Sequence, residues 1–243
     1  MSAFIDPRVA TVIATMALAV ASASQAQTCQ ATAGAQPPLV VELYTSEGCS
    51  SCPPADRWLS TLKGRKDVLP LAFHVGYWDH LGWKDVFARP EFTQRQYAWA
   101  KSHRAAQVYT PQAIVDGRDW RGWPGLPPAT GTAPVSLRLQ RQGDQVLAEV
   151  GTAPAGTPAL AGYWVVTENG HVTKVKAGEN AGETLQHDFV VRLLQPVPEW
   201  TPPAGLQSRL SVTRGDSATP RRVAFIVIDS RSQRPLQALA LDC

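Results

Sequence analysis

The chain lacks the signatures of several large enzyme classes. It has no phosphate-cradling Gly-rich loop, no G-x-S-x-G nucleophile elbow and no dinucleotide fingerprint. Nucleotide-dependent and serine-hydrolase chemistry are therefore unsupported, and no cofactor is expected. Basic clusters are missing too. The 23 Lys and Arg nearly balance 20 Asp and Glu, giving a net charge of +3. That is too mild and too dispersed to indicate nucleic acid. Beyond the N-terminus no apolar run is long enough to span a bilayer. Cysteine is scarce at four residues, with no second C-x-x-C and no H-x-x-x-H pair. Ordinary zinc-ligand spacing is thus absent, and no metal is expected. No internal repeat is visible.

What is present begins with a leader. Arg8 supplies a basic start, and Val9–Val20 is an apolar stretch broken only by Thr11 and Thr15. Small-x-small sites follow at Ala21-Ser22-Ala23 and Ser24-Gln25-Ala26. This pattern reads as a signal peptide over residues 1–26, leaving a periplasmic or secreted protein with no stable membrane insertion. Disulfides persist in such compartments. Pairing Cys49 with Cys52 leaves Cys29 and Cys243, which would join the mature N-terminus to the last residue. A loop that long would stabilise by roughly 5 kcal/mol in the chain-entropy model.

Residues 27–38 form a small-residue and proline arm. Leu39–Tyr44 reads as a buried strand, Asp56–Leu62 as a helix and Val68–Val75 as a second buried strand. Phe92–His103 reads as a helix, and Ala113–Val115 with Asp116-Gly117 opens a hairpin. Residues 122–134 are dense in Gly and Pro and mark a boundary near residue 130. Beyond it, Val135–Leu139, Val146–Val150, Ala161–Thr167 and Val223–Asp229 read as short strands separated by turns. The expected fold class is α/β: a thioredoxin-like domain over 39–130, then a small sandwich-like β-rich domain over 131–243.

The chemistry concentrates at Cys49-Ser50-Ser51-Cys52, placed between a strand and a helix start. A helix N-terminus favours the thiolate that attacks in disulfide exchange. Cys49 is expected to attack and Cys52 to resolve. Glu42 stands in an otherwise apolar strand, where an unpaired carboxylate is costly. Two readings stay open: a proton acceptor beneath the dithiol, or a carboxylate paired with a basic residue. Thr110-Pro111 precedes the hairpin, where a cis proline would set Thr110 beside an extended substrate.

Several segments together resemble a known family. They are Leu39–Tyr44, the run from Thr45 to Asp56, Tyr77–Asp85, Phe92–Gln96, Val108–Gln112 and Gly178-Glu179-Asn180. The chain is similar along most of its length to the secreted thioredoxin-like proteins catalogued as domain of unknown function 1223. The resemblance implies a thioredoxin-like fold and export, with Glu42 at the buried acid and Pro111 at the cis-proline of thioredoxin. It supplies no reaction. Two departures weigh against easy catalysis. Pro53 and Pro54 follow Cys52 and disfavour α geometry before them. Glu47 adds negative charge near Cys49, which raises a thiol pKa.

The aromatic stretch Tyr77–Trp83 follows the second strand and is placed to cover the dithiol. Five of the eight tryptophans lie between Trp78 and Trp123. They could line a groove, with Trp78 and His80 against substrate, or pack a loop. His80 is also the best histidine for a copper site with the two cysteines. His171 and His187 read as surface or turn residues, and 178–188 as a loop. The leading expectation is an exported thiol–disulfide oxidoreductase in which Cys49 attacks, Cys52 resolves, Glu42 shuttles a proton and Thr110-Pro111 holds the substrate, its partner being a protein thiol or disulfide. The alternatives are a non-catalytic binding protein with a structural Cys49–Cys52 bridge, or a copper-handling protein.

Overall fold

The computed structural model describes Met1, residues 28–216 and residues 218–243. The expected leader over 1–26 lies outside the described residues apart from Met1. The elements run β1 (Thr28–Thr32), β2 (Leu39–Thr45), α1 (Pro53–Ser60), β3 (Val68–His74), α2 (Pro90–Ser102), β4 (Gln112–Val115) and β5 (Arg118–Asp119). They continue with β6 (Leu137–Gln142), β7 (Gln145–Val150), β8 (Leu160–Glu168), β9 (His171–Lys174) and β10 (Thr184–His187). The last are β11 (Val190–Trp200), β12 (Leu206–Ser211), β13 (Arg221–Asp229) and β14 (Pro235–Leu241).

The expected α/β class with a thioredoxin-like domain is incorrect. Strands hold 40% of the described residues and helices 11%. A single eight-stranded sheet runs β14-β13-β8-β11-β3-β2-β4-β5 and so takes four strands from each side of residue 130. A four-stranded sheet, β1-β6-β7-β12, lies apart from it, and β9-β10 is a separate ribbon. The local order strand, helix, strand, helix, hairpin was real, but it is one end of a larger sheet. The joint is a parallel contact between β11 and β3 at Val190 and Ala72, with Ala72 N–H donating to the Phe189 carbonyl at 2.8 Å. That contact covers an edge of β3 that would otherwise leave ladder groups unpaired. Near-continuous apolar runs cannot reveal it, because any strand covered on both faces reads the same way.

Alternation along β2 divides its side chains between two cores. Leu39, Val41 and Leu43 pack with Ala55, Trp58 and Leu59 of α1. Val40 and Tyr44 pack on the other face with Phe73 and with Phe92 of α2. A third core joins the two sheets through Leu137, Leu139, Val146, Trp164 and Phe225. Each fully buried side chain of this size contributes about 1.5–3 kcal/mol. Helix α1 begins at Pro53, where a missing N–H costs nothing. Cys52 nevertheless adopts α geometry, with φ −78° and ψ −35°, and its carbonyl accepts from Asp56 N–H at 3.1 Å.

Candidate functional site

Cys49 and Cys52 are joined in a disulfide at the C-terminal end of β2 and the start of α1. The loop closes on itself through Cys49 N–H to the Ser46 carbonyl at 3.2 Å and Cys52 N–H to the Cys49 carbonyl at 3.1 Å. Both cysteines are buried, Cys49 at 2% and Cys52 at 0% exposure, while Ser50 and Ser51 are exposed. The second disulfide joins Cys29 to Cys243, the pairing that parity suggested.

The aromatic segment does border this loop. A Cβ at Gly48 would lie 3.0 Å from Trp78 Cβ, so glycine lets the two chains approach without displacing either. Trp78 Nε1 in turn donates to Thr110 Oγ1 at 2.7 Å, and the Thr110-Pro111 peptide is cis. Trp78 thus neighbours the disulfide loop and carries Thr110 and the cis Pro111 on its far side. His80 is exposed, and its Nδ1 lies 2.8 Å from the Tyr77 carbonyl.

Glu42 is held elsewhere. It points to the α2 face of the sheet, away from the side on which α1 packs. There its carboxylate meets Arg95 Nη2 at 2.6 Å and Nε at 3.1 Å, and accepts the Tyr44 and Tyr163 hydroxyls. Burial alone would raise its pKa, but the Arg95 charge and these hydrogen bonds outweigh it and hold the carboxyl lowered. Of the two open readings, the geometry is that of the ion-paired carboxylate.

A different buried cluster lies on the α1 side, near the disulfide. It consists of Glu47, Asp56, His74, Asp85 and His187, all nearly inaccessible. His74 Nδ1 lies 2.7 Å from Asp85 Oδ2, and that same oxygen accepts the Glu47 N–H at 2.9 Å. The Glu47 carboxylate accepts from Trp83 Nε1 at 2.8 Å and lies 3.2 Å from His187 Nε2. The two imidazole centroids are 4.9 Å apart. On their far sides, His74 Nε2 and His187 Nδ1 are buried without a hydrogen-bond partner among the described residues. His187 Nδ1 is 4.0 Å from Asp56 Oδ2. Asp56 lies one turn after Cys52, and residues four apart share a helix face. Burial pushes the Asp56 carboxyl above its ordinary range despite the nearby histidines. Burial also opposes the charges of Glu47 and Asp85. Hydrogen bonds from His187, Thr173 and Trp83 still hold Glu47 lowered, and the His74 charge holds Asp85 lowered.

The His74–Asp85 pair makes stability depend on pH from both sides. Burial would depress His74, but the Asp85 charge and hydrogen bond raise its pKa above the ordinary 6.5. The folded state therefore holds this proton more tightly than the unfolded chain. The stabilisation is full below 6.5 and declines as pH rises through the folded value. Asp85 is lowered from 3.8, so its contribution is lost as pH falls below that. Melting temperature measured from pH 4 to 9 should fall on the alkaline side, and His74→Gln should flatten that limb. An identical decline in the variant would assign it to other groups.

Three parts of this site were not expected. The sequence places His187 at the surface and 178–188 in a loop, yet His187 is buried and Thr184–His187 is β10. Asn180 Nδ2 donates to the Glu47 carbonyl at 2.9 Å and the Cys49 carbonyl at 3.0 Å. Ser50 N–H donates to Glu179 Oε2 at 3.1 Å. Two signals could have found this contact: Gly178-Glu179-Asn180 matched the family, and the isolated polar residues around it had no other assigned task. Asp56 lay inside the quoted run but was read only as a helix residue.

Among the described residues, no group of three or more His, Cys, Asp or Glu side chains is arranged to hold a metal ion. No helix among them is long and apolar enough to cross a membrane.

Comparison with known proteins gives a family but no chemistry. The family described as "Protein of unknown function (DUF1223)" matches residues 40–228. No curated protein matches the chain. The crystal structure of protein AGR_C_4864 from Agrobacterium tumefaciens is 28% identical, covering 86% of this chain and 96% of that one with a TM-score of 0.61. HBP35 of Porphyromonas gingivalis is 15% identical over 86% of this chain and 76% of that one, with a TM-score of 0.59. At that identity the second likeness concerns the fold alone.

Proposed function

The chain belongs to the DUF1223 family, a description that names no reaction, and we propose from the site itself that it is an exported thiol–disulfide oxidoreductase. The observation that carries this reading is Asp56, a buried carboxyl with a raised pKa on the helix face of Cys52. A bridge that merely pins a loop has no use for a buried protonatable acid one helical turn on. Retaining one there costs stability.

Exchange proceeds in two balanced steps. A substrate thiolate attacks Cys49 Sγ, the Cys49–Cys52 bond breaks, and a mixed disulfide forms on Cys49. Cys52 leaves with the electron pair and takes the proton from Asp56. A second substrate thiolate then attacks the substrate sulfur of the mixed disulfide. It releases the oxidised substrate and leaves a Cys49 thiolate, so two substrate thiols have reduced one protein disulfide. In the reverse direction, when the reduced dithiol re-forms its disulfide, Asp56 accepts the Cys52 proton. His187, whose Nδ1 lies 4.0 Å from Asp56 Oδ2, and Glu47 beside it complete the polar surroundings of that carboxyl. Trp78 borders the loop, and Thr110-Pro111 behind it is where the substrate chain would lie.

Export is supported by the leader-like N-terminus and the two disulfides. The alternative of a structural bridge is favoured by one observation, the 2% exposure of Cys49. Exchange then requires the exposed Ser50–Ser51 edge to move aside.

Asp56→Asn separates the two readings. We expect it to slow reduction of Cys49–Cys52 by 2-mercaptoethanol about 10²-fold and, once the rate is divided by the thiolate fraction, to abolish its decline as pH rises through the Asp56 ionisation. Stopped-flow alkylation with mass readout measures both. A rate and profile equal to wild type would remove Asp56 from the reaction and leave the bridge structural.

A further inference from the structure

Both sulfurs lie beneath an edge formed by exposed Ser50 and Ser51, so a reacting thiol arrives from that edge. An exposed carboxylate already sits there. Glu179, some 130 residues away in sequence, accepts the Ser50 N–H at 3.1 Å. Asn180 next to it fixes the same loop through the Glu47 and Cys49 carbonyls. Among the described residues Glu179 forms no ion pair with a Lys, Arg or His. Behind it the buried groups add little compensation. Glu47 and Asp85 face two histidines, while Asp79 stands close enough to Asp85 and Glu47 to feel their charge, with Lys84 as its basic neighbour. The entrance is therefore negative. The Ser50 amide that would otherwise favour an incoming or departing thiolate is occupied by a carboxylate.

We propose that Glu179 is the specificity-determining residue of the dithiol, directing exchange toward thiols that carry positive charge, such as cysteines flanked by Lys or Arg, and against anionic thiols such as glutathione. The proposal rests on the redox reading above and narrows its substrate class. A single charge several ångströms from the reacting sulfur attracts a cationic thiol and repels an anionic one. Together the two effects amount to about tenfold in rate at low salt and fade as the Debye length shrinks to about 3 Å in 1 M salt.

The test uses three small thiols of similar size on the full chain: cysteamine, 2-mercaptoethanol and 3-mercaptopropionate. Each rate of Cys49–Cys52 reduction is divided by the same thiol's rate with hydroxyethyl disulfide, which removes differences in intrinsic thiol reactivity. The expected order is cysteamine, then mercaptoethanol, then mercaptopropionate, spanning about tenfold at low ionic strength and collapsing in 1 M NaCl. Glu179→Gln, which keeps an acceptor for Ser50 N–H, should erase most of the spread. A spread that is absent in wild type, or unchanged in Glu179→Gln, would overturn the inference while leaving the redox reading intact. Failure of all three thiols to reduce the folded protein would overturn both.

Discussion

Arg95→Met will lower the unfolding free energy by about 3–4 kcal/mol at pH 7. The substitution keeps most of the apolar stem but leaves the Glu42 carboxylate with only the Tyr44 and Tyr163 hydroxyls, at 2.9 and 3.1 Å. A buried charge that loses its partner is among the most damaging single changes, at about 3–5 kcal/mol. Here a ceiling applies, because Glu42 can escape by taking a proton. From its ordinary 4.5 to pH 7 is 2.5 units, and about 1.36 kcal/mol per unit gives about 3.4 kcal/mol. Lost stacking of the guanidinium, 4.3 Å from the Tyr163 ring, adds some tenths.

The ceiling gives the prediction its shape. At pH 5 protonation is far cheaper, so the variant's deficit should shrink by more than half. Glu42→Gln combined with Arg95→Met should recover part of the loss at pH 7, because no charge remains to be buried. Urea unfolding at the two pH values measures all of this. A deficit below about 1 kcal/mol, or one equal at both pH values, would mean that the pair is solvated and that Glu42 is not a buried structural anchor.

Much of the local architecture was legible. The strands expected at Leu39–Tyr44 and Val68–Val75 are β2 and β3 to within a residue, and the helix expected at Phe92–His103 is α2. Such elements are written in side-chain periodicity and in Pro or Gly stops. The Cys29–Cys243 pairing at the termini is one that the even cysteine count allows, and the structure has it. What was not legible is the joining of distant pieces. Nothing near Val190 indicates that it lies beside Ala72. The fold was therefore read as two domains when one sheet draws on both halves.

The same limit misassigned the acid. Glu42 drew attention because a carboxylate in an apolar strand is rare, yet Arg95 answers it from a helix 53 residues on. Asp56 and Glu47 attracted less notice because their surroundings are polar in sequence. Their histidine partner, His187, arrives from 140 residues beyond Glu47. Burial of such groups is a property of the assembled sheet, and local pattern does not carry it.

The central claim concerns Cys49, and its largest expected effect comes from Cys52→Ser. If Cys49 exchanges with substrate, removing the resolving thiol leaves nothing within the site to release the adduct. Intramolecular resolution gains an effective concentration far above that of any added thiol. The mixed disulfide should therefore persist more than about 10²-fold longer in the variant than in wild type. Cys49→Ser should give no comparable adduct, since Cys52 is fully buried at 0% exposure.

The most direct measurement is whole-protein mass spectrometry of pre-reduced Cys52→Ser after a brief exposure to cystamine, with peptide mapping of the modified residue. The prediction is a single adduct, one half of the cystamine on Cys49. It should be stable until thiol is added and absent at steady state in wild type. No adduct on Cys49 in the folded variant, with the thiol titrating quantitatively only after unfolding, would contradict the account. Cys49–Cys52 would then be a structural clasp.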